Sequence, residues 1–536
     1  MRTITTLLFS LFLVGNTLAQ DHPKLIVGIV VDQMRTDYIY RYWNKFEDGG
    51  FKRLVNEGYF CRNTHYNYIP TYTGPGHASI YTGTTPMNHG IIANNWYDKQ
   101  NNSKMYCVSD ANAKSVGTDN ESGQMSPANL MVPTLGDAVR ISSLFQGKSI
   151  GISIKDRGAI LPAGHSANAA YWLDYDNGTM ITSSHYMTEL PKWVKQFNKA
   201  KHPDDLIKEG WEPMLALEKY TESTADDTPY EKSLVEDKAP TFPYDVKAEV
   251  KKTGYYPFAT TPFGNTLLRL FADQCIIHED LGQDEHTDLL AISFSSPDMI
   301  GHSYGPQSIE IEDTYLRLDK EIALLLESLD NRVGEGEYLL FLTADHAAAQ
   351  VPQYLKDHRI PVDYFDKGAF KTGLESALKE KFGVDDLLLS YSNQQVFLNH
   401  SAIKKLNKEE KAVYHVVHEF ALNFPGVANS IDVKQLQHPL PPDQFSRLAA
   451  QGWNPQRSGD VIIQFLPGWM EHEHKGTTHG SSYNYDTHVP LLFFGYGIPS
   501  GETLDEVDIT QIVPTVSLIS RITFPDASEH RPIKMD

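Results

Sequence analysis

The chain has 536 residues, 41% of them hydrophobic and 21% charged, a composition that belongs to a folded protein and excludes a disordered one. Lys and Arg number 47 against 68 Asp and Glu, a formal charge of −21, which repels nucleic acid and anionic membranes and excludes both as partners. An anionic small molecule would need a local positive site, and bound metal ions can supply one.

In chain order, the first 20 residues, MRTITTLLFSLFLVGNTLAQ, read as a secretory signal: a basic Arg2, a short apolar core at 7–14, and a small-residue cleavage context at 17–20. No later run reaches the roughly 18 apolar residues of a spanning helix. The expectation is therefore an exported protein, periplasmic or extracellular. Residues 24–31 are the first of five apolar runs with little alternation, the pattern of strands buried on both faces. The others are 148–154, 288–294, 337–342 and 489–494. Amphipathic stretches such as 309–329 lie between some of them. The expected class is α/β, a mostly parallel central sheet flanked by helices, with all five runs as buried parallel strands. Two segments fit this scheme poorly: polar 200–264, and 364–471 with its helical pattern over 408–423 and Pro-rich turns near 439–442. Both are read as insertions, forming a cap on one catalytic domain over 21–536.

Three cysteines, Cys61, Cys107 and Cys275, are too few for a disulfide scaffold or a Cys-rich zinc site. One pair could bridge in an exported protein, but which pair is not legible. Any metal falls to His and carboxylates.

Ligands of such sheets sit beyond the carboxyl ends of the strands, which selects the polar residues after each run. Asp32 follows the first; alone it could equally cap a helix. Residues 70–79, PTYTGPGHAS, precede a helix with Pro75 near its first turn. Thr73 then stands at the helix N-terminus, where Thr is commonly a cap. The same place favours a bound phosphate, and a metal ion can lower the hydroxyl pKa and make it a nucleophile. Asn94, in a turn-prone Asn-Asn pair, could donate its amide to a phosphoryl oxygen. After the second run come Lys155 and Arg157. If the strand continues, its period of two puts both on one face, a point charge and a fork for an anion. After the third, Asp298 and His302 stand at i, i+4, where a helical turn aims both at one ion. After the fourth, Asp345 and His346 are adjacent and can grip one ion where the backbone turns. His479 lies between glycines in GTTHG. The nearby Glu471-His472-Glu473-His474 is rich in ligand types but reads as a solvated charged segment. Three Asp and three His make an oxygen–nitrogen set that suits zinc, enough for two Zn2+ ions about 4 Å apart.

Together these residues resemble the alkaline phosphatase superfamily over most of 24–500, in the same order along the chain. The resemblance implies one zinc held by Asp298, His302 and His479. It implies a second held by Asp32, Asp345 and His346, with Thr73 as a further ligand and the nucleophile. Residues 71–77, TYTGPGH, followed by His89-Gly90-Ile91 and Asn94, are similar to the nucleotide pyrophosphatase/phosphodiesterase group. The added Lys155-x-Arg157 pair is similar to the phosphate-insensitive, PafA-type bacterial alkaline phosphatases. That implies hydrolysis of small phosphate monoesters through a phospho-threonine intermediate, with Asn94, Lys155 and Arg157 binding the phosphoryl group. Chemistry agrees. A monoester presents a dianion that two extra cations stabilise, whereas a diester carries one charge and needs an apolar pocket for its second ester group. Thr73-Gly74-Pro75-Gly76-His77 lacks the Arg of the sulfatase C/S-x-P-x-R motif, and ligands for a third ion are not identified. The rival readings are a diesterase and a non-catalytic metal protein. Subunit number is not legible; a monomer is the default expectation.

Overall fold

The computed structural model describes residues 22–235, 238–406, 409–436 and 443–535. The expected leader and the Pro-rich turns near 439–442 lie outside them. The main sheet comprises β1 Leu25–Val31, β2 Tyr59–His65, β3 Ser115–Val116, β4 Ser149–Ser153, β5 Ala169–Asp174, β6 Thr179–Ser183, β7 Asp288–Phe294, β8 Tyr338–Thr343, β9 His488–Gly495 and β10 Gly501–Asp508. Its ten strands run in the order β10-β2-β9-β8-β1-β7-β4-β5-β6-β3.

The five apolar runs occupy five adjacent central places, β9 to β4. All seven residues of β1, LIVGIVV, are buried, as expected where helices cover both faces. β1 pairs in parallel with β7 and β8, and β4 with β7. The expectation fails for the fifth run: β9 is antiparallel to both β8 and β2. Burial on both faces demands the same apolar residues whichever way a strand points, so composition does not encode direction. The outer strands β2 and β10 mix buried and exposed positions and carry no such run to find.

The helices that matter for the site are α1 Thr73–Thr82, α2 Asp156–Ala163, α3 Ser296–Tyr304 and α4 Ile309–Arg332. α4 fulfils the amphipathic pattern at 309–329. Ser308 caps it by accepting from the Ile311 N–H, and Leu318, Ile322, Leu325 and Leu329 are buried on one stripe. Segment 200–264 packs Trp211, Tyr244, Val246 and Phe258 into the main core. Segment 364–471 instead builds its own core around Phe370, Leu374, Val417 and Ile463. That core lies on a four-stranded sheet of Leu388–Ser392, Gln395–Leu398, Val461–Phe465 and Val427–Asp432. The three cysteines are buried free thiols.

α1 is buried at all ten positions and presses on the end of β8. A Cβ on Gly76 would stand 2.3 Å from the Asp345 carbonyl oxygen, so only glycine permits that approach. Gly76→Ala is expected to cost about 1–3 kcal/mol, measured as a lower urea midpoint with an unchanged slope.

Candidate metal centre and nucleophile

The strands β8, β1, β7 and β4 are neighbours that end at one edge. Val30 of β1 stands opposite Thr343 and Ser293, and Ser293 opposite Ser153. Because the ends are level, the residues that follow them converge: Asp345 and His346, Asp32, Asp298 in the first turn of α3, and Lys155 just before α2. A carboxylate in a helix's first turn is favoured by the dipole, and His302 follows one turn later. α1 points its N-terminus at the same edge. Tyr72, extended at φ −118°, is the cap, and Thr73 is the first helical residue. Its Oγ1 makes no capping bond and lies 3.4 Å from His346 Nε2.

Asp32, Asp345 and His346 bring ligand atoms within 4.8 Å of one another, and so do Asp298, His346 and His479. His302 Nε2 and His479 Nε2 lie 3.2 and 3.7 Å from Asp298 Oδ1. The His346 ring stacks on His479 with centroids 3.4 Å apart. His346 therefore stands between the two groups, although its Nε2, 3.4 Å from Asp32 Oδ1 and 3.5 Å from Asp345 Oδ2, faces the second.

Each imidazole has Nδ1 against a backbone carbonyl: His302 on Thr477 and His479 on Thr71, both at 2.7 Å, and His346 on Ala347 at 3.0 Å. A carbonyl only accepts, so Nδ1–H must donate, and each neutral ring keeps its Nε2 lone pair for the carboxylate cluster. Asp32 Oδ1 and Asp345 Oδ2 are buried with no hydrogen-bond partner among the described residues. Lone pairs of oxygen and nitrogen thus converge with too few protons between them. The donors fit metal cations of zinc's preference. Burial, then Asp298 and Asp345, push the Asp32 carboxyl well above its usual range. Burial would do the same to Asp298 and Asp345, but His302 with Lys155 hold the first well below it, and His346 with His77 the second. Burial depresses His346 and His479, keeping both neutral.

Lys155 Nζ donates to Asp32 Oδ2 at 2.7 Å and to Asp298 Oδ2, bridging the two ligand groups. Arg157 Nη1 donates to Tyr106 Oη at 3.1 Å, while its buried Nε has no partner among the described residues. The shared strand face expected for this pair does not exist. β4 ends at Ser153 and α2 starts at Asp156, so Lys155 caps the helix and Arg157 lies in its first turn. Asn94 Oδ1 accepts from the Gly74 N–H at 2.6 Å. That ties Asn94 to the α1 N-terminus and leaves its NH2 group as the end that could meet a ligand.

Two supporting residues escaped sequence analysis. Gln33, at φ +67°, donates its backbone N–H to Asp345 Oδ1 at 3.1 Å and its side-chain amide to Asp298 Oδ1 at 2.6 Å. It holds one member of each group; its only signal was a position after a strand-end Asp. His77 places Nε2 2.8 Å from Ser293 Oγ, with Nδ1 2.9 Å from Thr73 O and 3.3 Å from Asp345 Oδ2. Its i, i+4 spacing from Thr73 was the available clue. The solvated reading of 471–474 is half correct: Glu473 and His474 are exposed, whereas Glu471 and His472 are half-buried. The His472 ring lies 6.0 Å from that of His302.

The family model for type I phosphodiesterases/nucleotide pyrophosphatases matches residues 26–489. A Myroides odoratus protein named calcium-transporting ATPase is 45% identical, over 96% of this chain and 94% of its own. Alkaline phosphatase PafA of Elizabethkingia meningoseptica is 41% identical, over 96% of this chain and 95% of its own. The crystal structure of wild-type alkaline phosphatase PafA is similar at a TM-score of 0.92 and 42% identity, covering 96% of this chain and 98% of that one. The strand-end ligand edge, the threonine before it and near full-length similarity agree: the chain belongs to the type I phosphodiesterase/nucleotide pyrophosphatase family of the alkaline phosphatase superfamily, alongside the PafA-type alkaline phosphatases.

Proposed function

We propose that this enzyme is an exported alkaline phosphatase that hydrolyses phosphate monoesters with Thr73 as nucleophile and two Zn2+ ions as cofactors. The observation that carries the reading is the meeting of Thr73 Oγ1, 3.4 Å from His346, with a Lys155 ammonium that bridges Asp32 and Asp298. Nucleophile, ligands and phosphate-binding cation share one buried edge. Asp298, His302 and His479 would hold one ion, and Asp32, Asp345 and His346, with Thr73, the other. When bound, the ions supply Lewis acidity and lower the pKa of the Thr73 hydroxyl.

Thr73 Oγ gives up its proton and attacks phosphorus in line. The Oγ–P bond forms as the P–O bond to the alcohol breaks, and the alcohol leaves after taking up a proton. Water then attacks the same phosphorus, releasing inorganic phosphate and restoring the threonine hydroxyl. The α1 N-terminus favours the anion throughout. With Asp32 and Asp298 acting as ligands, Lys155 is released to the phosphoryl oxygens, joined by Arg157 and the Asn94 amide. Two cations suit the dianion of a monoester better than the single charge of a diester.

The PafA relative carries the phosphatase name in full-length similarity. The name of the Myroides odoratus relative is compatible with the same chemistry, because ATP hydrolysis is also phosphoryl transfer to water. Among the described residues no helix is long and apolar enough to cross a membrane. Segments 200–264 and 364–471 are walls of the cleft in one catalytic unit, supported by the His472–His302 contact.

Thr73→Ala is expected to lower kcat on the order of 10^3-fold or more, with two zinc ions per chain still found by elemental analysis. Wild-type turnover in that variant rules out the nucleophile. In Lys155→Ala/Arg157→Ala, monoester kcat/KM falls about 10^3-fold and diester kcat/KM less than about tenfold. Equal losses on esters with a common leaving group would remove the preference for monoesters.

A further inference from the structure

α3 carries Asp298 and His302 toward the metal centre and, two residues on, turns Tyr304 toward a second polar chamber. Tyr304, Glu310 at the start of α4, and Glu231 and Thr228 of segment 200–264 are all buried, the two glutamates at 0% and 1% exposure. Four of their atoms, Tyr304 Oη, Glu310 Oε2, Glu231 Oε2 and Thr228 Oγ1, have no hydrogen-bond partner among the described residues. The other Glu310 oxygen accepts from Tyr244 Oη. Glu231 and Glu310 are near enough to repel each other, Asp226 adds to the repulsion on both, and Tyr304 feels both. Neither is in an ion pair with a Lys, Arg or His among the described residues. Burial, then the neighbouring carboxylates, hold the Glu231 carboxyl above its usual range, and burial dominates for Glu310.

Two buried carboxylates without a counter-charge are costly. Water can satisfy their lone pairs but cannot cancel two negative charges; one dication can. We infer that this chamber binds a divalent cation through oxygen alone, held by Glu231, Glu310 and the Thr228 hydroxyl, apart from the catalytic pair. With no imidazole or thiolate among the donors, the ion is of the hard class, Ca2+ or Mg2+, with water completing its shell.

The place has a mechanical consequence. Segment 200–264 is already stitched to the end of α3: Thr224 N–H donates to Gln307 O at 2.8 Å, and Lys232 N–H to Ser303 O at 2.9 Å. Tyr230 O accepts from Gly476 N–H at 2.6 Å. A Cβ on Gly476 would stand 1.9 Å from the His302 carbonyl oxygen. An ion joining Glu231 to Glu310 clamps this segment against the helix that bears Asp298 and His302.

The test uses full-length, zinc-loaded protein freed of other ions, with Ca2+ and Mg2+ added in separate equilibrium dialyses and in thermal melts. One Ca2+ or Mg2+ per chain beyond the zinc is expected, with a rise in Tm; the arm that binds identifies the ion. Glu231→Gln/Glu310→Gln should weaken binding at least about tenfold and make Tm indifferent to the added ion, and Thr228→Val should weaken binding with the fold kept. Wild-type protein that binds neither ion at about 1 mM overturns the inference whether or not the double variant folds. So does a folded double variant that binds like wild type. No binding, with a double variant at least as stable as wild type, would assign a shared proton instead. These readouts do not involve turnover, so they stand apart from the phosphatase reading.

Discussion

Three carboxylates, Asp32, Asp298 and Asp345, are buried together at one edge of the sheet, and the rest of the site is arranged around their repulsion. Like charges this close in a low-dielectric interior are tolerated only with compensating charge. Three imidazole lone pairs, the Lys155 ammonium and two unpartnered carboxylate oxygens converge on the same volume. The fold creates this problem deliberately: level, parallel strand ends bring residues more than 300 positions apart in sequence into contact, as in the Gln33–Asp345 bond. Such a cluster is a poor stabiliser of the metal-free chain and a strong attractor of cations.

Rigid backbone surrounds these ligands. Each histidine is oriented by a carbonyl at its Nδ1, from Thr71, Ala347 or Thr477. Two of those carbonyls lie in loops beside Thr73 and His479, so ligand orientation and nucleophile position are set by the same backbone. Gln33 adds a cross-brace, touching both Asp298 and Asp345 from one αL residue. Preorganisation of this kind means that charge developing on the phosphoryl oxygens meets groups already in place.

The two insertions differ physically. Segment 364–471 has its own sheet and core, whereas 200–264 contributes aromatic side chains to the main core. The latter also supplies Glu231 and Thr228, which meet Glu310 behind the ligand-bearing α3. Metal binding at the sheet edge and the packing of an insertion are thereby connected through one short helix.

The five central strands were legible because burial on both faces writes an unbroken apolar run, and α4 because its stripe repeats at helical spacing. Thr73, Asp32, Asp298, His302, Asp345, His346 and His479 were legible because strand ends and a helix N-terminus mark where polar residues can converge. The antiparallel β9 was not, since an apolar run has no direction. Nor was the helical setting of Lys155 and Arg157, where the strand stops two residues earlier than its pattern suggests. Gln33, His77 and the Glu231–Glu310 chamber were invisible for a different reason. An amide, an imidazole and two glutamates carry no local pattern; their meaning lies in partners brought from distant segments. The chain by itself determined the chemistry available at each strand end. Only tertiary packing decided which of those groups share a space, and therefore which charges must be balanced.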